Sequence, residues 1–426
     1  MDNKNVFIAI ALSMSVLLFW GAFFESPNSI DKTSVPQQEI QGKIKNNNDI
    51  TPNINQVIET TSVSRKESIG TTGRIKIENK NIIGTISLKG ALLDDISFKN
   101  YKQNLQDNNN VEFLNPKQTE NGYFIETGWT SIGDNIKVPS INSTWTVTGN
   151  NILSENRPII LNWKNGEGIV FKKKIELDEK YLFKISQIVE NNTNKSIELY
   201  PYAQITRNKI PNDIQNFYIS HEGFIGVFDE ELKEDDYDDV EEKKIVREAD
   251  NGWFGITDKY WMTALVPKSG ENFKATFLYK GAFKANYILN NPTTIKPSSS
   301  NFNDVRLFVA AKEVETIDSY AADQKIDKLD LVIDWGWFYF FTKPLFFIID
   351  YLFKFSGNFG IAIVLITLSI RILFFPLANY SFRSMAKMKA LQPEMVRLKE
   401  LHKEDKMKLQ QEMMALYKKE KVNPAS

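Results

Sequence analysis

Arg371 follows Thr367 by four residues inside an otherwise uncharged stretch, residues 359–377 (FGIAIVLITLSIRILFFPL). Side chains four apart share one face of a helix, and Gly360 lies near that face. The chemistry available to this pair is attraction, not bond-making. A guanidinium is always charged, carries five donors and matches a carboxylate. An arginine at the centre of a membrane helix costs about 2.5–3.5 kcal/mol, less toward its ends. Arg371 stands six residues before Leu377, about 9 Å of helix, so one reading is a side chain that snorkels to the interface. The other is a polar face turned toward protein or a water-filled cavity. One helix cannot enclose a cavity, so this second reading requires partner helices.

Other reactive groups are scarce. Cysteine is absent, and His221 and His402 are the only histidines. Disulfides, thiolate zinc sites, cysteine nucleophiles and Ser-His-Asp triads therefore have almost nothing to be built from. No nucleotide motif occurs, and neither a cofactor nor a resident metal is expected. The acidic run at residues 229–242 (DEELKEDDYDDVEE) lacks the spacing and central glycine of a calcium loop, and is expected to be a solvated loop. Trp129, Trp145, Trp163, Trp253 and Trp261 can stack on sugars, but more often serve a core. A net charge of -1 argues against binding nucleic acid through bulk charge.

The elements that position Arg371 begin at the N-terminus. Residues 6–24 carry no charge and are long enough to cross roughly 30 Å of hydrocarbon. The competing reading, a cleaved signal peptide, fits less well because the run is long and ends without small residues at the cleavage positions. Residues 1–25 thus form an anchor. Residues 26–72, rich in Asn, Gln, Ser, Thr and Lys, are expected to be a flexible tether. Residues 73–318 alternate apolar and polar in short runs such as residues 74–78, 84–88, 168–177 and 181–189, separated by Asn, Gly and Asp turns. That texture predicts an antiparallel β sandwich. A short helix is expected from about Ser319.

Residues 358–378 form the second membrane helix. Arg383, Lys387 and Lys389 follow it with no acid until Glu394, which places that end in the cytoplasm. Both termini are then cytoplasmic and everything between is exported. Within the connecting segment, 319–357, residues 335–355 are also apolar and can be read as a third crossing. However, Lys343, Asp350 and Lys354 fall on one narrow face, and a crossing would move the basic tail outside. An interfacial helix fits better. Residues 379–426 are basic and helical, with Met385, Met388, Leu391, Met395 and Leu398 at three- and four-residue steps. This face suits anionic lipid or a second helix, and Pro393 is expected to break it into a shorter and a longer helix.

Three strings carry a family resemblance: residues 370–377 (IRILFFPL), 384–393 (SMAKMKALQP) and 411–424 (QEMMALYKKEKVNP). A softer match covers residues 251–267 (NGWFGITDKYWMTALVP). The chain resembles the YidC family of membrane-protein insertases, Gram-negative type, over essentially its whole length. The resemblance implies an α + β membrane protein whose exported domain is a β supersandwich related to sugar-mutarotase folds, without that enzymatic activity. It implies that Arg371 and Thr367 line a hydrophilic groove open to cytoplasm and lipid. It places Met385, Lys387, Met388, Gln392 and Pro393 in the first arm of a cytoplasmic hairpin that contacts partners. Those partners are nascent inner-membrane proteins, the Sec translocon, ribosome or targeting factors, and anionic lipids. Family members continue beyond Asn423 and Pro424 into a second hairpin arm and three more membrane helices. A chain ending at Ser426 reads as truncated before them.

Two functions therefore compete. One is an insertase and chaperone of the bacterial inner membrane. The other is a membrane-tethered, carbohydrate- or envelope-binding β module.

Overall fold

The computed structural model describes residues 63–420, apart from 72, 105, 107, 133–135, 212–219 and 404. The anchor expected at residues 6–24 and most of the tether expected at 26–72 lie outside the described residues. The last part of that tether is not a free linker. Helix α1 (Arg65–Gly70) is capped by Ser64, whose hydroxyl accepts from the Glu67 amide at 3.3 Å. Arg65 binds Asp95, Ser97 at 2.9 Å and Glu112 at 2.6 Å. A capped turn and one well-placed guanidinium offset the polar composition that favoured disorder.

The alternating region forms strands because every second side chain reaches an apolar interior. Strand Ile169–Leu177 shows this alternation, with Ile169, Phe171, Lys173, Ile175 and Leu177 buried and Val170, Lys172, Lys174 and Glu176 between them half-exposed. The described strands form two sheets. The first runs through Arg74–Glu78, Ile82–Ser87, Leu92–Lys102, Tyr123–Thr130, Ile197–Arg207, Phe283–Leu289, Phe273–Tyr279 and Ile245–Ala249. The second runs from Glu231–Asp235 through Gly223–Phe228, Gly252–Thr257, Trp261–Val266, Ser299–Ala311, Leu182–Asn191, Ile169–Leu177 and Arg157–Lys164 to Thr146–Ser154. Thr146–Ser154 joins them, because Ile152 and Leu153 also pair in parallel with Lys76 and Ile77. Trp129, Trp145 and Trp253 are core residues, whereas Trp163 and Trp261 are half-buried at its margin.

The acidic run is not a loop. Asp229 and Glu230 take left-handed backbone conformations at a turn, Glu231–Asp235 is an edge strand, and helix α2 (Tyr237–Glu242) buries Tyr237 and Val240. Two apolar residues spaced one turn apart decide this, while the acids face outward.

Helix α3 (Val314–Asp323) begins earlier than the expected Ser319 and spans the anticipated domain limit at 318. Ile317 and Tyr320 enter the β core. Tyr320 donates to Asp178 at 2.5 Å and receives the Tyr181 amide at 3.0 Å. After a short 3-10 turn at Leu329–Val332 come α4 (Tyr339–Ser356), α5 (Phe359–Leu401) and α6 (Lys406–Lys419). Pro393 does not break α5, which is one helix of 43 residues through both Pro376 and Pro393. Each proline removes one amide donor, but the residues around Pro393 are strong helix formers and α6 packs on this half. The break falls instead at His402 and Lys403, after which Asp405 caps α6 by accepting from the Lys408 amide at 3.0 Å. Tyr417 then reaches the Met395 sulfur at 3.7 Å. Residues 379–420 therefore hold both arms of a hairpin, not the first arm alone.

Candidate functional site

The helix carrying Arg371 is aimed by a two-residue turn. Gly357 ends α4 in the left-handed region, with its amide bonded to the Phe353 carbonyl at 2.7 Å. Asn358 starts α5 by accepting from the Ile361 amide at 3.2 Å. A glycine past one helix and an asparagine before the next are the expected signals for such a corner. Phe353 and Phe359 meet edge-on across it, 5.7 Å between ring centres.

In its membrane-length half, α5 buries Ala362 and Ile366 at the end that packs on α4. Arg371 is nine residues beyond Ala362, about 180° around the helix axis at roughly 100° per residue. It therefore points away from the packed face. Thr367 shares that outward side, and its hydroxyl donates to the Ile363 carbonyl at 2.7 Å. This satisfies the threonine within its own helix. Arg371 is exposed and, among the described residues, has no ion pair or hydrogen-bond partner. It stands twelve residues, about 18 Å, along the axis from Phe359. The next cation, Arg383, lies about 18 Å further on. Among the described residues, α5 is the one helix long and apolar enough to cross a membrane. At about 65 Å it is twice the length that roughly 30 Å of hydrocarbon needs, so its second half extends beyond.

Helix α4 carries Lys343, Asp350 and Lys354 on one side, as expected. Its partners were not legible in the sequence. Lys343 pairs with Asp318 of α3 at 3.0 Å and with Asp330 at 3.7 Å. Lys354 pairs with Glu315 at 2.6 Å and Asp350 at 2.8 Å. The charged stripe is thus turned onto the β domain, and strapped there. The adjoining flank, running round the helix from Phe347 and Phe340 through Tyr351 and Phe355 to Phe341, is exposed, an apolar patch of the kind that meets a membrane or partner. A clue existed in the acids at 315, 318 and 330, but their proximity to α4 is a tertiary fact.

The five hairpin residues divide. Met388 is half-buried in the row that includes Leu391, Met395 and Leu398, on the side to which Tyr417 returns. Met385, Lys387, Gln392 and Pro393 stay exposed, Met385 at 61%. Packing against a second helix thus takes up part of the methionine-bearing face, and the remainder is free for other contacts.

The arrangement around Arg371 is electrostatic. It presents one unpaired cation on an apolar helix. At an effective dielectric of 20, such a charge attracts a carboxylate 4 Å away by about 4 kcal/mol.

Comparison with known proteins gives this geometry its context. Residues 74–348 match the family model described as the YidC periplasmic domain, and residues 351–426 match the 60Kd inner membrane protein model. The membrane protein insertase YidC of Pelagibacter ubique (strain HTCC1062) is 48% identical over all 426 residues, and the alignment covers 75% of that protein. That of Brucella melitensis biotype 1 is 37% identical over the whole chain and 74% of its own length. A galactose mutarotase related enzyme from Lactobacillus acidophilus aligns with 56% of this chain and 97% of its own, at 12% identity and a TM-score of 0.40. That structural likeness is too slight to carry any inference about activity. The identity along the full chain, together with two successive family models over the β domain and the helices, decides between the two competing functions: the chain belongs to the YidC family of membrane protein insertases.

Proposed function

We propose that this insertase works through the outward face of α5, with Arg371 as the charge that receives the polar flank of an incoming membrane protein and Thr367 lining the same wall. The observation that carries the reading is an arginine with no partner among the described residues, half a turn away from the face that packs on α4. A charge at that depth is costly in bare hydrocarbon, and a hydrated groove shared with further helices removes most of that cost. The groove shortens the hydrocarbon a polar tail must cross, and the guanidinium holds a carboxylate transiently. The client's apolar segment then slides into lipid.

Residues 6–24 supply a first anchor in this scheme, so the chain is multi-pass with both termini in the cytoplasm. Helix α4 lies in the outer interface, aromatic side in the headgroups and charged side on the periplasmic domain. The hairpin of α5 and α6, with Met385, Lys387, Gln392 and Pro393 exposed, meets anionic lipid, the Sec translocon or the ribosome and its targeting factors.

The test is Arg371→Ala beside Arg371→Lys, with insertion of a single-span client followed by protease protection. Alanine is expected to slow a client with an acidic exported tail far more than one with a neutral tail, and lysine is expected to retain most activity. Wild-type insertion of the acidic client by the alanine variant would remove the charge from the mechanism.

A further inference from the structure

We propose that the methionine sulfurs in the seam between α5 and α6 are a reversible oxidation site, through which a peroxide opens the hairpin and lowers insertion. The proposal goes beyond the Arg371 reading and uses no part of it.

The sequence distributes sulfur unevenly. Cysteine is absent, so methionine is the only residue type in this chain that takes up an oxygen atom and is enzymatically returned to its starting state. Six of the nine methionines fall within residues 385–414: Met385, Met388, Met395, Met407, Met413 and Met414. By contrast, Met262 is 0% exposed in the β core.

The fold sorts the six into two groups. Met385, Met407 and Met414 are 61%, 76% and 58% exposed, whereas Met388, Met395 and Met413 are half-buried. Half-buried residues on α5 step by three and four through Met388, Leu391, Met395 and Leu398. On α6 they do the same through Leu409, Met413 and Leu416. This is the spacing of two helices packed along a narrow seam. The two sides meet where the Tyr417 hydroxyl reaches the Met395 sulfur at 3.7 Å. Met413 stands one turn before Tyr417 and shares its face.

Such a seam has little to spare. Helix α6 has 14 residues, none of them fully buried, and a helix of that length is marginal without packing. Helix α5 in turn passes through Pro393 on the half that α6 covers. Opening the seam removes that support, and the missing amide of Pro393 then favours a break in α5. Exposed Lys387, Gln392 and Pro393 would lose their fixed geometry together.

A peroxide supplies the oxygen. The thioether sulfur attacks one peroxide oxygen, the O–O bond breaks and an S–O bond forms. Sulfur gives up two electrons, and the proton left on the new S–OH passes to the departing hydroxide, which leaves as water. The product replaces a flexible apolar side chain with a polar one. In the seam, the added oxygen either crowds the Tyr417 hydroxyl or turns toward the apolar row, where an unpartnered polar atom is costly. At Met385, Met407 and Met414 the same oxygen meets water. Oxidation of the seam sulfurs therefore favours the open hairpin.

The test treats the whole protein in detergent with hydrogen peroxide, reading conversion at each methionine by mass spectrometry and hydrogen exchange along α6. Met395 and Met413 are expected to convert before Met262, and exchange in α6 to quicken by about tenfold. Methionine sulfoxide reductases should restore the original rate. In a variant carrying Met388→Leu, Met395→Leu and Met413→Leu, the three exposed methionines still oxidise, yet exchange in α6 should not change. After reconstitution, peroxide should lower insertion of a client with a neutral tail by the wild type but not by the variant, each read against its own untreated activity. Conversion no faster than at Met262, converted seam sulfurs with unchanged exchange, equal quickening in the leucine variant, or a rate that the reductases do not restore would each overturn the proposal.

Discussion

Lys173 makes the stability of the periplasmic domain depend on pH in a direction opposite to most buried acids. It stands on the core-facing side of Ile169–Leu177, between Phe171 and Ile175, and is 2% exposed. Its ammonium donates to the Thr127 carbonyl at 2.6 Å and lies 4.9 Å from the centre of the Trp145 ring. Burial pushes the amine down from 10.5 to about 7, with Glu126 pulling it partly back. A lysine depressed in the folded state is the case where the unfolded chain holds the extra proton. Between pH 7 and 10.5 stability therefore rises with pH, by up to about 1.36 kcal/mol per unit. Below pH 7 both states are protonated and the contribution is flat at its least favourable level. From pH 7 to 9 the gain is about 2–3 kcal/mol. The perturbation is Lys173→Met, which keeps the length and removes the titration. It leaves the Thr127 carbonyl unpaired at a pH-independent cost of about 1–3 kcal/mol. The assay is urea unfolding of the detergent-solubilised protein at pH 6, 7.5 and 9, read by tryptophan fluorescence. Lys312, lowered to about 8 chiefly by burial, also titrates in this range, so the quantity that matters is wild type minus variant. That difference should grow in favour of wild type as pH rises. If it stays constant from pH 6 to 9, the amine is hydrated in solution and the reasoning from burial fails.

Two further predictions concern the framework that holds the sites. At Gly84, an added Cβ would stand 1.9 Å from the Asp95 carbonyl oxygen. Gly84→Ala is therefore expected to destabilise the domain by about 1–3 kcal/mol or more, whereas Gly70→Ala, with open space around it, should leave the thermal midpoint unchanged. Lys343→Glu puts a carboxylate against Asp318 and Asp330. Spin labels on α4 and on the β domain should then show a broadened distance distribution, with the domain's own melting shifted by about 1 kcal/mol or less, as for other surface ion pairs. An unchanged distribution would mean that α4 is held by its apolar contacts alone.

Local pattern carried much of this protein. The alternation in residues 74–78 and 168–177 is enough to make strands, because a half-buried pleat rewards every second apolar residue. The run from 359, uncharged but for Arg371, and the Gly357–Asn358 corner make a membrane-length helix with a defined start. Thr367 and Arg371 share a face by helical arithmetic alone. The end of that helix was a different matter. Pro393 imposes a local cost, but whether a helix survives it depends on packing by α6, thirteen or more residues further on. The acids of α3 that bind Lys343 and Lys354 and the parallel contact of Ile152 and Leu153 with Lys76 and Ile77 are likewise absent from any local window. Propensity and periodicity act over a turn or a pleat, and so they specify elements. Which charge meets which, and which strand lies beside which, depends on residues tens of positions apart being brought together, and only the assembled sandwich and its strapped helix decide that.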